Sequence, residues 1–222
     1  MSALADLSWP DAETLRLRTS CLVPVGSTEQ HGPHLPLSTD TDIAVALAQR
    51  LARALPAAVV APAIPYGASG EHQAFAGTIS IGREALELLL VELGRSAALS
   101  FDRTVLVSTH GGNAETVDRV ATRLRGEARD IVVWSPRWSD AHAGRAETSI
   151  MLALCPDRVD LSRAERGNTA PLAELMPALQ AHGVRPVSHN GVLGDPAGAS
   201  AEEGERLLED AVDEFMETVT RE

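Results

Sequence analysis

Four short β-prone apolar runs recur along this chain, at 21–26 (CLVPVG), 57–64 (AAVVAPAI), 104–109 (TVLVST) and 131–134 (IVVW). Helical patterns separate them. Residues 43–52 form one, 83–100 carry Leu86, Leu89, Leu90, Leu93 and Ala97 at helical spacing, and 114–126 form a third. Strand–helix alternation of this kind predicts an α/β fold with a mainly parallel central sheet. In such sheets ligands collect beyond the carboxyl ends of the strands. The residues that follow each run are therefore where chemistry is expected.

Beyond the first run the chain reads Glu29-Gln30-His31-Gly32-Pro33-His34, followed by Asp40 and Asp42. Side chains two apart on extended chain point the same way, so Glu29 and His31 are expected to face one pocket with Gln30 turned away. Gly32-Pro33 and Pro36 stiffen the loop, which suits groups held at fixed positions. Mixed carboxylate and imidazole groups suit zinc, iron or manganese better than calcium or magnesium.

The other runs end in similar groups. The second leads into a Gly-rich turn closing on Glu71 and His72, which reads either as pocket lining or as an ordinary turn with a polar tip. A loop and a short strand are expected over 75–81. The third run enters His110-Gly111-Gly112-Asn113, where two glycines permit close backbone approach and Asn113 reads as a helix cap and orienting group. After the fourth come His142 and Glu147. Glu147 starts a helix, where any carboxylate is favoured by the dipole, and it is also placed to close a metal site with His142 as acid or base. Flanking elements are a short helix over 11–20, a helix opening at Thr41, a helix over 171–182 broken at Pro177, and a final helix over 200–220 with Ser200 and Glu203 as a capping box.

Composition narrows the function classes. The net charge is -12, which argues against nucleic acid or an anionic membrane surface as partner. Every basic residue is Arg, so Lys Schiff-base chemistry and a P-loop are excluded. Cys21 and Cys155 sit in or beside apolar runs and read as small core residues. No signal peptide and no apolar stretch of bilayer length is visible, so a cytoplasmic protein is expected, with 1–222 as one domain.

Three ordered motifs, PVGSTEQHGPHLPL (24–37), HGGN (110–113) and HAGxxETS (142–149), together with GEH…GTIS (70–80) and GVLGDP (191–196), resemble the creatininase family of metal-dependent amidohydrolases. The resemblance implies a three-layer α/β/α fold and two divalent ions. In that arrangement Glu29 binds one ion, His31 the other, Asp40 bridges them, His110 is a further ligand and His142 transfers protons. His34, Glu71, His72, Gly111, Gly112 and Asn113 would line the pocket or support the ligands. Two departures stand out. Creatininase itself carries a metal carboxylate where this chain has Gly112, and Glu147 is the available replacement. Ser38 stands where the family often has Asp.

Aromatic residues make up only 3% of the chain, against the aromatic cover that creatininase places over a small cyclic substrate. A more open pocket is implied. Length and motif wording resemble the branch of the family that hydrolyses a modified peptide near its C-terminus, releasing a dipeptide with a decarboxylated tyrosine during redox cofactor biosynthesis. The alternatives are hydrolysis of creatinine or a formamide-type small molecule, and a non-catalytic metal-binding assembly protein. The family also implies a closed homo-oligomer.

Overall fold

The computed structural model describes residues 2–219. Five parallel strands form one sheet: β1 (Ser2–Ala3), β2 (Ser20–Val25), β3 (Ala58–Val60), β4 (Arg103–Ser108) and β5 (Ile131–Trp134), in the spatial order β1-β3-β2-β4-β5. Seven α-helices accompany them: α1 (Trp9–Thr14), α2 (Thr39–Ala54), α3 (Gly82–Ala97), α4 (Ala114–Gly126), α5 (Arg145–Leu154), α6 (Leu172–His182) and α7 (Ala201–Val219).

Side chains alternate along the strands and divide the interior in two. Leu22, Val105, Val107, Val132 and Trp134 face a core built with Ile43, Leu47 and Leu51 of α2, Ile150 and Met151 of α5, and Leu208 and Phe215 of α7. Cys21, Val23, Val25, Leu106 and Ile131 face the opposite core, with Leu86, Leu90 and Val91 of α3 and Val117, Val120 and Leu124 of α4. The result is the expected three-layer α/β/α arrangement. Each fully buried Leu, Ile or Phe contributes about 1.5–3 kcal/mol of transfer free energy.

Connection geometry locates the crevice. From β2 the chain crosses to β3 on one side through α2, and from β3 it returns past β2 to β4 through α3. Right-handed crossovers running in opposite directions must pass over opposite faces, as they do here. The strand order thus reverses about β2, and loops leaving β2 and β4 diverge from adjacent carboxyl ends. On one face α7 lies close against α5, where a side chain at Gly204 would run into the Ser149 carbonyl.

Several boundaries differ from the sequence reading. The run at 57–64 pairs only as Ala58–Val60, because Pro62 has no N–H to donate, and it touches β2 again through a single bridge from Ile64 to Val25. Residues 75–81 contribute one bridge, Thr28 to Ile79, rather than a strand. The expected helix at 11–20 is α1, which starts earlier, at Trp9, and stops at Thr14; Leu17 beyond it has a left-handed φ of 53°. Helix α2 begins at Thr39, two residues before Thr41. Helix α6 runs through Pro177 unbroken, and the Ala173 carbonyl that loses its partner lies in an exposed turn where water can satisfy it. At α7 only half the capping box forms. Ser200 Oγ accepts the Glu203 N–H at 3.2 Å, while the Glu203 carboxylate accepts from Arg145 and Ser149. Both cysteines are free thiols, and burial raises Cys21 to about 11.

Candidate metal centre

Three loops from carboxyl ends of the sheet, with the start of α5, meet in one place. Gly26 follows β2 where any side chain would lie 2.5 Å from the Thr41 backbone, so the loop and the N-terminus of α2 are in direct contact. Asn113 joins the loops: its Oδ1 accepts the Ala68 N–H at 2.9 Å and its Nδ2 donates to the Gly26 carbonyl at 3.0 Å. It precedes α4 but makes no side-chain cap, which corrects the capping expectation. Both polar ends are already committed to neighbouring loops.

Asp40, from the first turn of α2, stands between two histidines. Oδ1 lies 3.2 Å from Nε2 of His31, and Oδ2 lies 3.4 Å from Nδ1 of His110. Ser27 Oγ donates to Oδ2 at 2.6 Å. On one side, Glu29 Oε1 is 3.2 Å from His110 Nδ1. On the other, Glu147 Oε2 is 3.9 Å from His31 Nε2. Ligand-type atoms converge in three groups that could hold a cation: Glu29 with His31 and Asp40; His31 with His142 and Glu147; and Glu29 with His72 and His142. All these side chains are buried, Glu29 and His31 completely.

Two histidines are oriented by backbone acceptors. His31 Nδ1 lies 3.2 Å from the Glu29 carbonyl and His110 Nε2 lies 3.2 Å from the Ala68 carbonyl. Those nitrogens carry a proton whatever the charge of the ring, so His31 Nε2 and His110 Nδ1, which face the carboxylates, are the positions that can give a lone pair to a cation in place of a second proton.

Electrostatics show what the cluster is built to hold. Burial depresses the basicity of His31, but Asp40, with Glu147 and Glu29, more than reverses this, raising the ring to about 10. His110 is likewise lowered by burial and raised by Glu29, again to about 10. Burial pushes Asp40 and Glu29 up, and the adjacent histidines, His31 and His110 respectively, bring both below the ordinary carboxylate range. Glu147 is raised by burial to about 7. Burial lowers His72 to about 3 and takes His142 well below its usual range. The field thus calls for positive charge at His31 and at His110, on either side of Asp40. Both oxygens of Glu29 are fully enclosed without a hydrogen-bond partner. A buried carboxylate left this way carries a large desolvation cost unless a cation meets it, so the residues present fit divalent metal.

Other expected site residues fall around this cluster. His34 donates from Nε2 to Thr148 Oγ1 at 2.9 Å, since that hydroxyl already donates to the Gly144 carbonyl; burial lowers His34 to about 4. Asp42 points elsewhere, held by Ser38 at 2.7 Å and Arg158 at 2.8 Å. Glu71 is half-buried behind His110, with Oε1 3.7 Å from Nε2, and burial raises it. Gly112 has no room for a side chain: a Cβ would collide with Glu71 Oε1, His110 Nε2 and the Ala68 carbonyl. Gly111 is exposed beside it.

One residue reverses its expected orientation. Gln30 is buried, and its amide nitrogen lies 2.8 Å from His72 Nδ1 and 3.0 Å from His142 Nε2. Strict alternation fails because the rings of His72 and His142 each span Glu29 and Gln30, one nitrogen towards either residue. Ser27, Thr148 and Gly191 also support the centre and carried no signal in the sequence reading beyond their place in the motifs.

The family model for creatininase, described as creatinine amidohydrolase, matches residues 5–219. A mycofactocin precursor peptide peptidase of Mycobacterium ulcerans is 52% identical over 213 residues, covering 91% of this chain and 85% of that protein. One from Mycolicibacterium smegmatis is 53% identical over 207 residues, covering 90% and 84%. Among solved structures, one titled "Creatininase Mn" superposes with a TM-score of 0.80 at 28% identity, covering 100% of this chain and 98% of that one. A mutant creatininase of "Zn-Zn type" gives 0.75 at 27% identity with the same coverage. With its motifs, three-layer fold and carboxylate–imidazole cluster in agreement, the chain belongs to the creatininase family.

Proposed function

We propose that this protein is a metal-dependent peptidase that cleaves an amide bond near the C-terminus of a modified mycofactocin precursor peptide, releasing Val joined to decarboxylated Tyr during redox cofactor biosynthesis. The observation that carries the reading is the pairing of Glu29–His110 and His31–Glu147 across one aspartate, in a chain about half identical to proteins named for that activity. Residues 1–222 act as one domain. The working form is a cytoplasmic homo-oligomer.

Glu29, Asp40 and His110 would hold one divalent cation, and His31, Asp40 and Glu147 the other, with zinc, iron or manganese as the candidates. When bound, such ions supply a water acidified towards a pKa of ~7 and a Lewis acid for the scissile carbonyl. The chain's residues do the rest. Asp40 keeps the two halves at fixed separation through its split oxygens. Ser27 holds Asp40 against rotation. His142 lies between both groups, 3.8 Å from Glu29 Oε1, and is neutral through burial. It takes up a proton as the water adds to the carbonyl and delivers it to the leaving nitrogen as the C–N bond breaks. Gly111 and Gly112 leave the approach over His110 free of side chains.

Mass spectrometry of a modified precursor peptide incubated with metal-loaded protein tests the reading. Release of the C-terminal dipeptide, abolished by a chelator, is expected. Intact peptide after incubation with metal-replete protein overturns it.

A further inference from the structure

We propose that Gln30 is a positioning residue that sets the tautomers of His72 and His142 in opposite senses, leaving a bare Nδ1 on His142 facing the centre and an Nε2–H on His72.

The assignment follows from hydrogen-bond accounting. Gln30 Oε1 lies 2.9 Å from the backbone N–H of Gly32, which can only donate, and Nε2 lies 3.1 Å from the Gly191 carbonyl, which can only accept. These two contacts leave the amide one orientation. Gly191 has a positive φ of 83°, and any side chain there would strike Gln30, so the close approach depends on glycine. Nε2 has two hydrogens. One goes to Gly191 and the other to His72 Nδ1 at 2.8 Å. His72 Nδ1 is therefore an acceptor, and its proton sits on Nε2, 3.3 Å from Glu29 Oε1.

His142 is set by the other half of the same residue. Its Nε2 lies 2.8 Å from the Gln30 backbone carbonyl, a contact that requires a hydrogen on nitrogen. The 3.0 Å approach of Gln30 Nε2 to His142 Nε2 is then packing between two donors, because both amide hydrogens are already used. Nδ1, 3.8 Å from Glu29, keeps its lone pair.

The consequences divide the four imidazoles. His31 Nε2, His110 Nδ1 and His142 Nδ1 offer lone pairs, whereas His72 offers a proton. The group of Glu29, His72 and His142, close enough by distance to hold a cation, is not a cation site. His72 instead turns its N–H towards the Glu29 carboxylate, 3.3 Å away and outside hydrogen-bond geometry. In the hydrolytic reading, on which this one step rests, His142 gains and returns its proton at Nδ1 while its Nε2–H stays on the Gln30 carbonyl.

The test is long-range 1H–15N NMR of the full-length, zinc-loaded protein labelled at histidine, with resonances assigned through single His substitutions. Protonated Nε2 and bare Nδ1 are expected for His72, and protonated Nε2 for His142. Gln30→Glu replaces the donor by an acceptor in nearly the same shape. It should invert the His72 tautomer, leave His142 on the backbone carbonyl, leave zinc content unchanged and lower kcat about 10- to 100-fold with KM little altered. Wild-type His72 protonated at Nδ1, or an unchanged His72 tautomer in Gln30→Glu, overturns the proposal. The tautomers are read without substrate, so failure to cleave a peptide bears on the peptidase reading alone.

Discussion

Glu147 reaches the far side of the cluster while anchored at home: Oε2 accepts the Ala143 N–H at 2.6 Å and lies 3.9 Å from Nε2 of His31. A carboxylate that enters from the first turn of α5 thus stands opposite the one that enters from the β2 loop. Glu147→Gln keeps the shape and removes the charge. We expect bound zinc to fall from about two ions to about one per chain, measured by plasma emission spectrometry on dialysed protein. Undiminished zinc would remove Glu147 from the ligand set.

Asp40 serves both halves, so its loss should be felt by both. Asp40→Asn is expected to bind less than about a tenth of the wild-type metal and to lose more than about 100-fold in turnover, a larger effect than removal of a supporting group. Isothermal titration with zinc reads the first quantity directly. Retention of one tight site would assign Asp40 to a single ion.

His142→Ala separates proton transfer from metal binding. Loss of a general acid–base group costs about 10²–10⁴-fold in rate. The variant should keep its zinc and lose that much in kcat, as measured by steady-state kinetics of dipeptide release. Full activity would end its assigned role.

Gly112 cannot recover a carboxylate. Gly112→Ala meets Glu71, His110 and the Ala68 carbonyl at once, and the overpacking should cost about 1–3 kcal/mol in urea unfolding. Gly112→Glu should not restore zinc to the Glu147→Gln variant, because His110 must move to admit any side chain. Restoration would show that the two positions are interchangeable.

Metal removal should cost stability and leave the buried Glu29 carboxylate to its histidine neighbours. With free zinc 1,000-fold above its Kd, binding stabilises the folded state by about 4 kcal/mol, which chelation removes. In chelator the charged His110 ring still holds Glu29 below the ordinary carboxylate range, so Glu29→Gln should be less stable than wild type at pH 7, the difference shrinking as pH falls and Glu29 is protonated. Equal or greater stability of that variant in metal-free urea melts would mean that the histidines leave the buried charge uncompensated.

Much of this was legible in linear order, and the failures are informative. The runs at 104–109 and 131–134 and the helix at 114–126 read clearly because both faces of each strand are buried and the helix is amphipathic. The two-residue strand β1 could not be read, because two residues carry no period. Pro177 misled for a local reason: the Ala173 carbonyl that it leaves without a helical partner is exposed, so water can take the place of the lost hydrogen bond. Gln30 misled for a tertiary one, since alternation describes a strand with one covered face, and this loop is covered on both.

Apolar periodicity and the residue types clustered after each run were enough to specify an α/β sheet and a carboxylate–imidazole site at its carboxyl edge, because burial pattern and ligand chemistry are properties of residues in sequence. Which carboxylate replaces the one absent at Gly112, which way Gln30 turns and which nitrogen of each histidine faces the centre were decided only by folding. Those outcomes depend on distances between segments up to 161 residues apart, such as Gln30 and Gly191, and on the requirement that each buried hydrogen-bonding group find a partner.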